Sequence, residues 1–483
     1  MLEKLELIYN IYDLMALCCS YIFNELEHEI YEFGRFDENE YSEVEEAIII
    51  YLDDMENKGK NYAFKQLRKF VYEYLEEELS IQRCYAFVFF IDQNVEVEIP
   101  RESLLGGSGI VKYSALNKQC TDRVRIIPKI EKTLLNRIEK KKVDAFDGIQ
   151  SIFRKRRECA CSEIDSETEH YSIWDKESIG MFSVEICHID ERCDIYKQFY
   201  DRKKIVFGIV PFTNCDIKSL LNIKYEKKIF YIDSMKTDAE KMLEARYLEI
   251  VKRCKGKNID FLIFPEMLLT EKIIDNLKKL DKMEKPDPKI IVNGTIWKDR
   301  KNISEITDGN GNLILEYQKK EPFELKKDGK TYKEELDRSD KKEYSIIEIE
   351  GIGRIGICIC KDLINENVRL FHKKIDTNIL LVPAFSNSMD LKSSAKELAE
   401  DYHCIVVIAN ACSAIEEEKN KIGFITCPGK MGTERTSIVK MYLKNECKEE
   451  CEKRCRGKII SVDFDSINDV DGVQSFTIEE IDM

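Results

Sequence analysis

Three short segments in the second half of the chain each end an apolar run on a residue that can do chemistry. Asp260-Phe-Leu-Ile-Phe-Pro-Glu266 is a strand-like run that delivers a carboxylate just past a proline. Gly311-Asn-Leu-Ile-Leu-Glu-Tyr-Gln-Lys319 is a glycine turn leading into a strand that ends in Tyr-x-Lys. Gly356-Ile-Cys-Ile-Cys360-Lys-Asp362 is an apolar strand that ends in a thiol and turns at once into charged residues. A carboxylate can take a proton, an ammonium can hold a developing negative charge, and a thiol attacks carbon once it is deprotonated. Each segment alone also has an ordinary explanation. Glu266 can be a solvated strand end, Lys319 a strand-terminal lysine, and Cys360 a small core hydrophobe.

Taken together and in this order, the three segments resemble the nitrilase superfamily of carbon–nitrogen hydrolases. The matching residues are Phe264-Pro265-Glu266, then Tyr317-Gln318-Lys319, then Gly356 to Asp362. The resemblance extends from about Lys204 toward the C-terminal region. It includes Asn378-Ile-Leu-Leu-Val-Pro383 and a helix and strand over Ala395 to Asn410. It implies an αββα sandwich, a homo-oligomer, and a small-molecule amide or nitrile substrate. It also implies Cys360 as nucleophile, Glu266 as its base and Lys319 as the cation facing the oxyanion. The amide N–H of Lys361 is then the backbone partner of the oxyanion, and Glu324 is the supporting second glutamate. Phe385 and Asn387 are placed by position at the substrate pocket. No cofactor and no metal enter this chemistry. Cys358 competes for the nucleophile's role, since two residues apart on a strand it points to the same side as Cys360. The Gly-x-x-Ile-Cys-x-Asp match favours Cys360. The chain departs from the family after Asp362 and after Val382, where the substrate pocket would be built.

The elements that must position these residues form an α/β rhythm. Strands are predicted over 205–211, 260–264, 289–296 and 313–317, then 343–350 with 354–360 as a hairpin around Gly351, and then 378–383 and 404–409. Helices are predicted over 239–255 and 391–402. Strands alternating with helices point to a largely buried sheet between helical layers. Ahead of this, residues 1–83 read as a helical module. Leu5, Ile8, Ile11, Tyr12, Met15 and Cys19 have helical spacing, as do Phe64, Leu67, Phe70, Val71 and Tyr74. Residues 84–200 read as a mixed region, with strands at Cys84–Ile91 and Val95–Ile99, a helix from Pro128 to about Arg157, and two short strands between Cys159 and Asp201. Residues 201–483 hold the hydrolase-like domain.

A chain of 483 residues with 43% hydrophobic residues can bury a core, and its 18 cysteines, spread through apolar runs, read as reduced buried thiols. A net charge of −15 repels phosphate at long range, so nucleic acid and anionic membranes are not expected partners. Lys140–Lys142 and Arg154–Arg157 read as solvated helix faces. The segment Met1–Tyr9 lacks a signal-peptide pattern, no apolar run is long enough to span a bilayer, and a cytoplasmic location is expected. Tyr51-Leu-Asp-Asp54 spells a polymerase-like metal loop but sits in a helical pattern. Cys447, Cys451 and Cys455 share a helix face, and Cys159, Cys161, His170, Cys187, His188 and Cys193 are scattered, so neither set is a firm metal site. Gly106–Gly109 lacks the Lys-Ser/Thr ending of a P-loop. There is no Gly-x-Ser-x-Gly. Two functions remain: a cysteine amidohydrolase, or an interaction protein that uses the same domain as an oligomerising scaffold. Residues 1–200 are the candidate partner-binding element in both.

Overall fold

The computed structural model describes residues 1–26, 38–95, 110–115, 124–129, 168, 170–175, 182–199, 202–212, 215, 217–279, 288–337, 342–386, 390–412, 421–431, 434–443, 457–470 and 472–483. The chain divides into two compact units. Pro128, the predicted start of a helix, instead ends the strand Val124–Pro128. The rest of that helix from 130 to 157 lies outside the described residues, as do 96–99 of the strand predicted at Val95–Ile99, the Gly106–Gly109 turn, Lys140–Lys142, Arg154–Arg157, Cys159, Cys161, Asn387, Cys447, Cys451 and Cys455.

The first unit holds the helices Ile11–Leu26, Ser42–Lys58, Lys60–Glu77 and Ile81–Asn94, with an antiparallel pair of strands, Val124–Pro128 and Tyr171–Asp175. The first three helices follow the predicted apolar spacing. The fourth corrects the strand predicted at Cys84–Ile91. Ser80 caps this helix by accepting the Arg83 N–H. Cys84, Tyr85, Ala86, Phe87, Val88, Phe90 and Ile91 are all buried, so the segment is apolar on every face. A helix buried all round has no polar stripe, and its short aromatic and β-branched run imitates a buried strand. Asp92 on this helix accepts the N–H groups of His170 and Tyr171, which ties down the second strand of the pair. Tyr51-Leu-Asp-Asp54 is helical. Asp54 is buried against Lys58 at 2.7 Å, and Asp53 accepts from Asn57.

The second unit is an α/β sandwich. Its strands run in the order Lys342–Ile349, Gly353–Ile357, Thr377–Ala384, Ile405–Asn410, Lys421–Met431, Val473–Asp482, Lys458–Val470, Lys204–Ile209, Phe261–Ile263, Ile290–Val292 and Lys301–Asp308. Leu313–Gln318 pairs with the last of these. Two parallel triplets lie within this path: 204–209 with 261–263 and 290–292, and 353–357 with 377–384 and 405–410. A parallel step needs a crossover, and here helices supply it. Thr237–Arg253 links the first pair of strands and packs on its outer face. Val206, Val210, Leu262 and Ile291 meet Leu243, Tyr247 and Ile250 there. Glu366–Lys374 and Asp390–Tyr402 serve the second triplet. The other faces of the two halves meet each other. The Glu266 N–H donates to the Ala384 carbonyl, and Ile209 abuts the backbone at Gly423. The layering is therefore α-β-β-α. The predicted hairpin is present as 342–349 with 353–357.

A smaller sheet stands beside the sandwich. The hairpin Glu324–Lys327 and Lys330–Glu334 turns through Asp328-Gly329, both with positive φ, and joins Ile229–Met235 and Leu221–Glu226. Asp-Gly is the preferred two-residue hairpin turn because both central positions need φ above zero.

Candidate active site

Glu266 is carried past the end of the 261–263 strand by Phe264 and Pro265, and its side chain is buried. A close backbone approach fixes this exit. Gly294 has φ +84°, and a Cβ there would stand 2.3 Å from the Pro265 carbonyl oxygen. Lys319 follows the 313–318 strand, and its N–H donates to the Asn302 carbonyl at 2.8 Å. Its Nζ donates to Glu266 Oε1 at 2.7 Å and to Glu334 Oε2 at 2.8 Å. Cys360 opens the short helical turn that follows the 353–357 strand, at φ +48° and 3% exposure. A β-carbon is poorly tolerated in that left-handed region, so the thiol is held at a strained chain reversal. Glu266 and the backbone N–H of Phe385 both act on its thiol.

The structure thus brings Glu266, Lys319 and Cys360 together. Lys361 is half-buried in the turn beside Cys360. Phe385 is half-buried and packs on the core around Phe264, so its backbone and not its ring is what reaches the thiol. Glu324 is not gathered into the site. It is exposed at the outer start of the hairpin, and the carboxylate that meets Lys319 is Glu334 at the hairpin's other end. Cys358 and Cys360 do not share partners. The strand stops at Ile357, so two-residue alternation no longer applies. Cys358 Sγ lies 3.2 Å from His372 Nε2, whose Nδ1 lies 3.0 Å from Thr377 Oγ1, all within the core.

Two residues of the cluster were not read from the sequence. Asn302, fully buried, donates from Nδ2 to Glu266 Oε1 at 2.9 Å and to Glu334 Oε1 at 3.3 Å. Glu334 also accepts the Phe323 N–H at 2.7 Å. A signal existed for each. Asn302 and Ser304 interrupt an alternation that Ile306 shows to be inward-facing, and Asp328-Gly329 announces a hairpin whose return strand ends on Glu334. Asp362 ties the thiol's turn to the lysine's strand. It accepts the N–H groups of Lys320 at 2.9 Å and Glu321 at 2.7 Å, and the Tyr317 hydroxyl at 3.1 Å.

The electrostatics follow from two carboxylates sharing one ammonium in a buried place. Burial raises Glu266 above the ordinary carboxyl range, and the Glu334 charge adds to this against the pull of Lys319. Burial alone would lower Lys319, yet Glu266 and Glu334 outweigh it and hold the ammonium well above its usual value. Burial, and then the Glu266 charge, push the Cys360 thiol well up, against Lys319 and the Phe385 N–H. Burial thus raises the proton affinity of both the Cys360 thiol and the Glu266 carboxyl group beside Lys319. Among the described residues no group of three His, Cys, Asp or Glu could hold a metal ion, and no helix is long and apolar enough to cross a membrane.

No family model matches the chain, and no curated protein sequence matches it. Among solved structures the chain is similar to Saccharomyces cerevisiae Nit3, described as a member of branch 10 of the nitrilase superfamily. That likeness has 15% identity and a TM-score of 0.33, and covers 50% of this chain and 92% of that one. It is similar to the C. elegans NitFhit protein at 15% identity and a TM-score of 0.34, where it spans half of this chain and 60% of that one. It is also similar to an amidase from Nesterenkonia sp. AN1, in a mutant form that carries the acetamide moiety of fluoroacetamide on its active-site cysteine. There the identity is 11%, the TM-score 0.31, and the coverage 50% of this chain and 90% of that one.

Proposed function

We propose that the chain hydrolyses a carbon–nitrogen bond of a small amide or nitrile through a thioester on Cys360. The observation that carries this is the buried cluster in which Glu266 meets the Lys319 ammonium at 2.7 Å and acts on the Cys360 thiol. With an amide, Glu266 takes the thiol proton as sulfur attacks the carbonyl carbon. Lys319 and the backbone N–H of Lys361 face the oxyanion. The proton on Glu266 passes to the leaving nitrogen, the C–N bond breaks, and an acyl thioester remains. Water then attacks the thioester and gives its proton to Glu266, the C–S bond breaks, and acid and thiol are restored. Removing such a base or cation typically costs about 10²–10⁴ in rate. The site works on a substrate carbon that can reach a nearly buried sulfur, which favours a small substrate over a protein chain.

The test is alkylation of Cys360 by iodoacetamide, read by intact mass and peptide mapping, together with a panel of amides and nitriles. Wild type is expected to be modified at Cys360, and Glu266→Gln to slow this by at least an order of magnitude. Modification that ignores Glu266, or turnover that survives Cys360→Ala, would overturn the proposal. In the same proposal the homo-oligomer belongs to the hydrolase domain, and residues 1–200 supply recognition of a protein partner. Support for the latter comes from the first unit's own buried core, which needs none of the site residues.

A further inference from the structure

Asn302 is oriented at the expense of its own oxygen. Its Nδ2 serves both carboxylates, at 2.9 Å to Glu266 and 3.3 Å to Glu334, while Oδ1 is buried without a partner. An orphaned buried acceptor loses its hydration with nothing in return. The amide accepts that cost to keep its donor on the carboxylates. Its backbone is no freer, because the Asn302 carbonyl receives the Lys319 N–H. One residue therefore touches the lysine through its main chain and both glutamates through its side chain.

We propose that Asn302 is the positioning residue of this site, holding Glu266 in its carboxylate form, turned toward Lys319 and Cys360, while spacing it from Glu334. This rests on the hydrolase reading of Cys360. Around Glu266 stand Lys319 from the end of the 313–318 strand, Glu334 from the end of the 330–334 strand, and Cys360 from the turn after the 353–357 strand. Lys319 attracts, Glu334 repels and Cys360 delivers a proton. Asn302 is the neutral donor in this set. It stabilises the charge on Glu266 without adding a second cation that would compete for the oxyanion. Removing the donor favours protonated Glu266, so the base becomes available only at higher pH.

The experiment uses the full chain and iodoacetamide, following the alkylation rate of Cys360 against pH, with melting recorded in parallel. In Asn302→Leu, close in volume and without a donor, the acid limb is expected to move up by about one pH unit. Asn302→Ser, which keeps one hydroxyl donor, is expected to fall between this variant and wild type. A uniform loss of rate with an unmoved acid limb in a folded variant would overturn the proposal and leave Asn302 a packing residue. If Asn302→Leu does not fold, Asn302→Ser decides by the same reading. Failure of the hydrolase reading looks different, since wild type itself would then show no alkylation at Cys360 that depends on Glu266.

Discussion

Glu334 and Asn302 act on Glu266 with opposite sign, and this separates their effects in solution. The Glu334 charge raises Glu266, so Glu334→Gln is expected to move the acid limb of Cys360 alkylation to lower pH, the reverse of Asn302→Leu. The pH profile of the folded variant checks this. Cost in stability is expected too, because Lys319 loses one of its two buried anions. A second titrating residue, outside this site, reports on the core. Burial lowers His372 from 6.5 to about 3, so the folded state excludes a proton that the unfolded chain takes. Its contribution to stability is complete above pH 6.5 and is lost as pH falls toward about 3, at up to about 1.4 kcal/mol per pH unit. Urea unfolding across that window should show a steeper acid loss in wild type than in His372→Gln. Glu266, Lys319 and Cys360 each end an apolar run, but it is their order and its resemblance to a known family that singles them out in the sequence. Glu334 and Asn302 were not legible there, because their strands are polar and their meeting depends on a hairpin's reach. Choosing Glu324 followed proximity in sequence to Lys319, while the fold spends ten residues on the hairpin before returning a carboxylate to the site.

At the scale of elements, the strand that leads into the Cys360 turn is held from behind by a close contact. A Cβ on Gly356 would lie 2.6 Å from His372 Cε1 and 2.7 Å from its Nδ1. The ring cannot swing away without breaking its contacts with Cys358 and Thr377. Gly356→Ala is therefore expected to destabilise by about 1–3 kcal/mol, seen as a lower urea midpoint with an unchanged m-value. The parallel strands 261–263, 377–384 and 405–410 were legible as short apolar runs between helical patterns, since strands buried on both faces carry no alternation. That same property hid the 81–94 helix, whose buried faces gave no period to read. The small sheet was missed because Leu221–Glu226 and Ile229–Met235 are only partly buried and mixed in character. Only pairing, which is non-local, makes strands of them.

For the second unit as a whole, the pairing order differs from the chain order. Its first central strand, Lys204–Ile209, has Phe261–Ile263 on one side and Lys458–Val470 on the other. Paired strands of this kind open together, so the amides of 204–209 and of 458–463, the stretch that pairs with it, are expected to share one high protection level in native-state hydrogen exchange. Protection of 204–209 that outlasts 458–463 would show that the first half of the sheet closes independently. A buried sheet between helical layers was legible from the alternation of elements, and the αββα layering only from the resemblance, but this closure was not. No strand is predicted after 404–409, and nothing local in 458–470 or 473–482 names Ile205 or Phe207 as neighbours. The closure also gives the ribosome a part in the protein's fate. Strand 204–209 leaves the exit tunnel long before the strand that covers its open edge has been made. For that interval the growing chain displays an apolar strand with unmatched backbone groups, the kind of surface on which nascent-chain chaperones act, and slow translation of the intervening codons would lengthen its exposure.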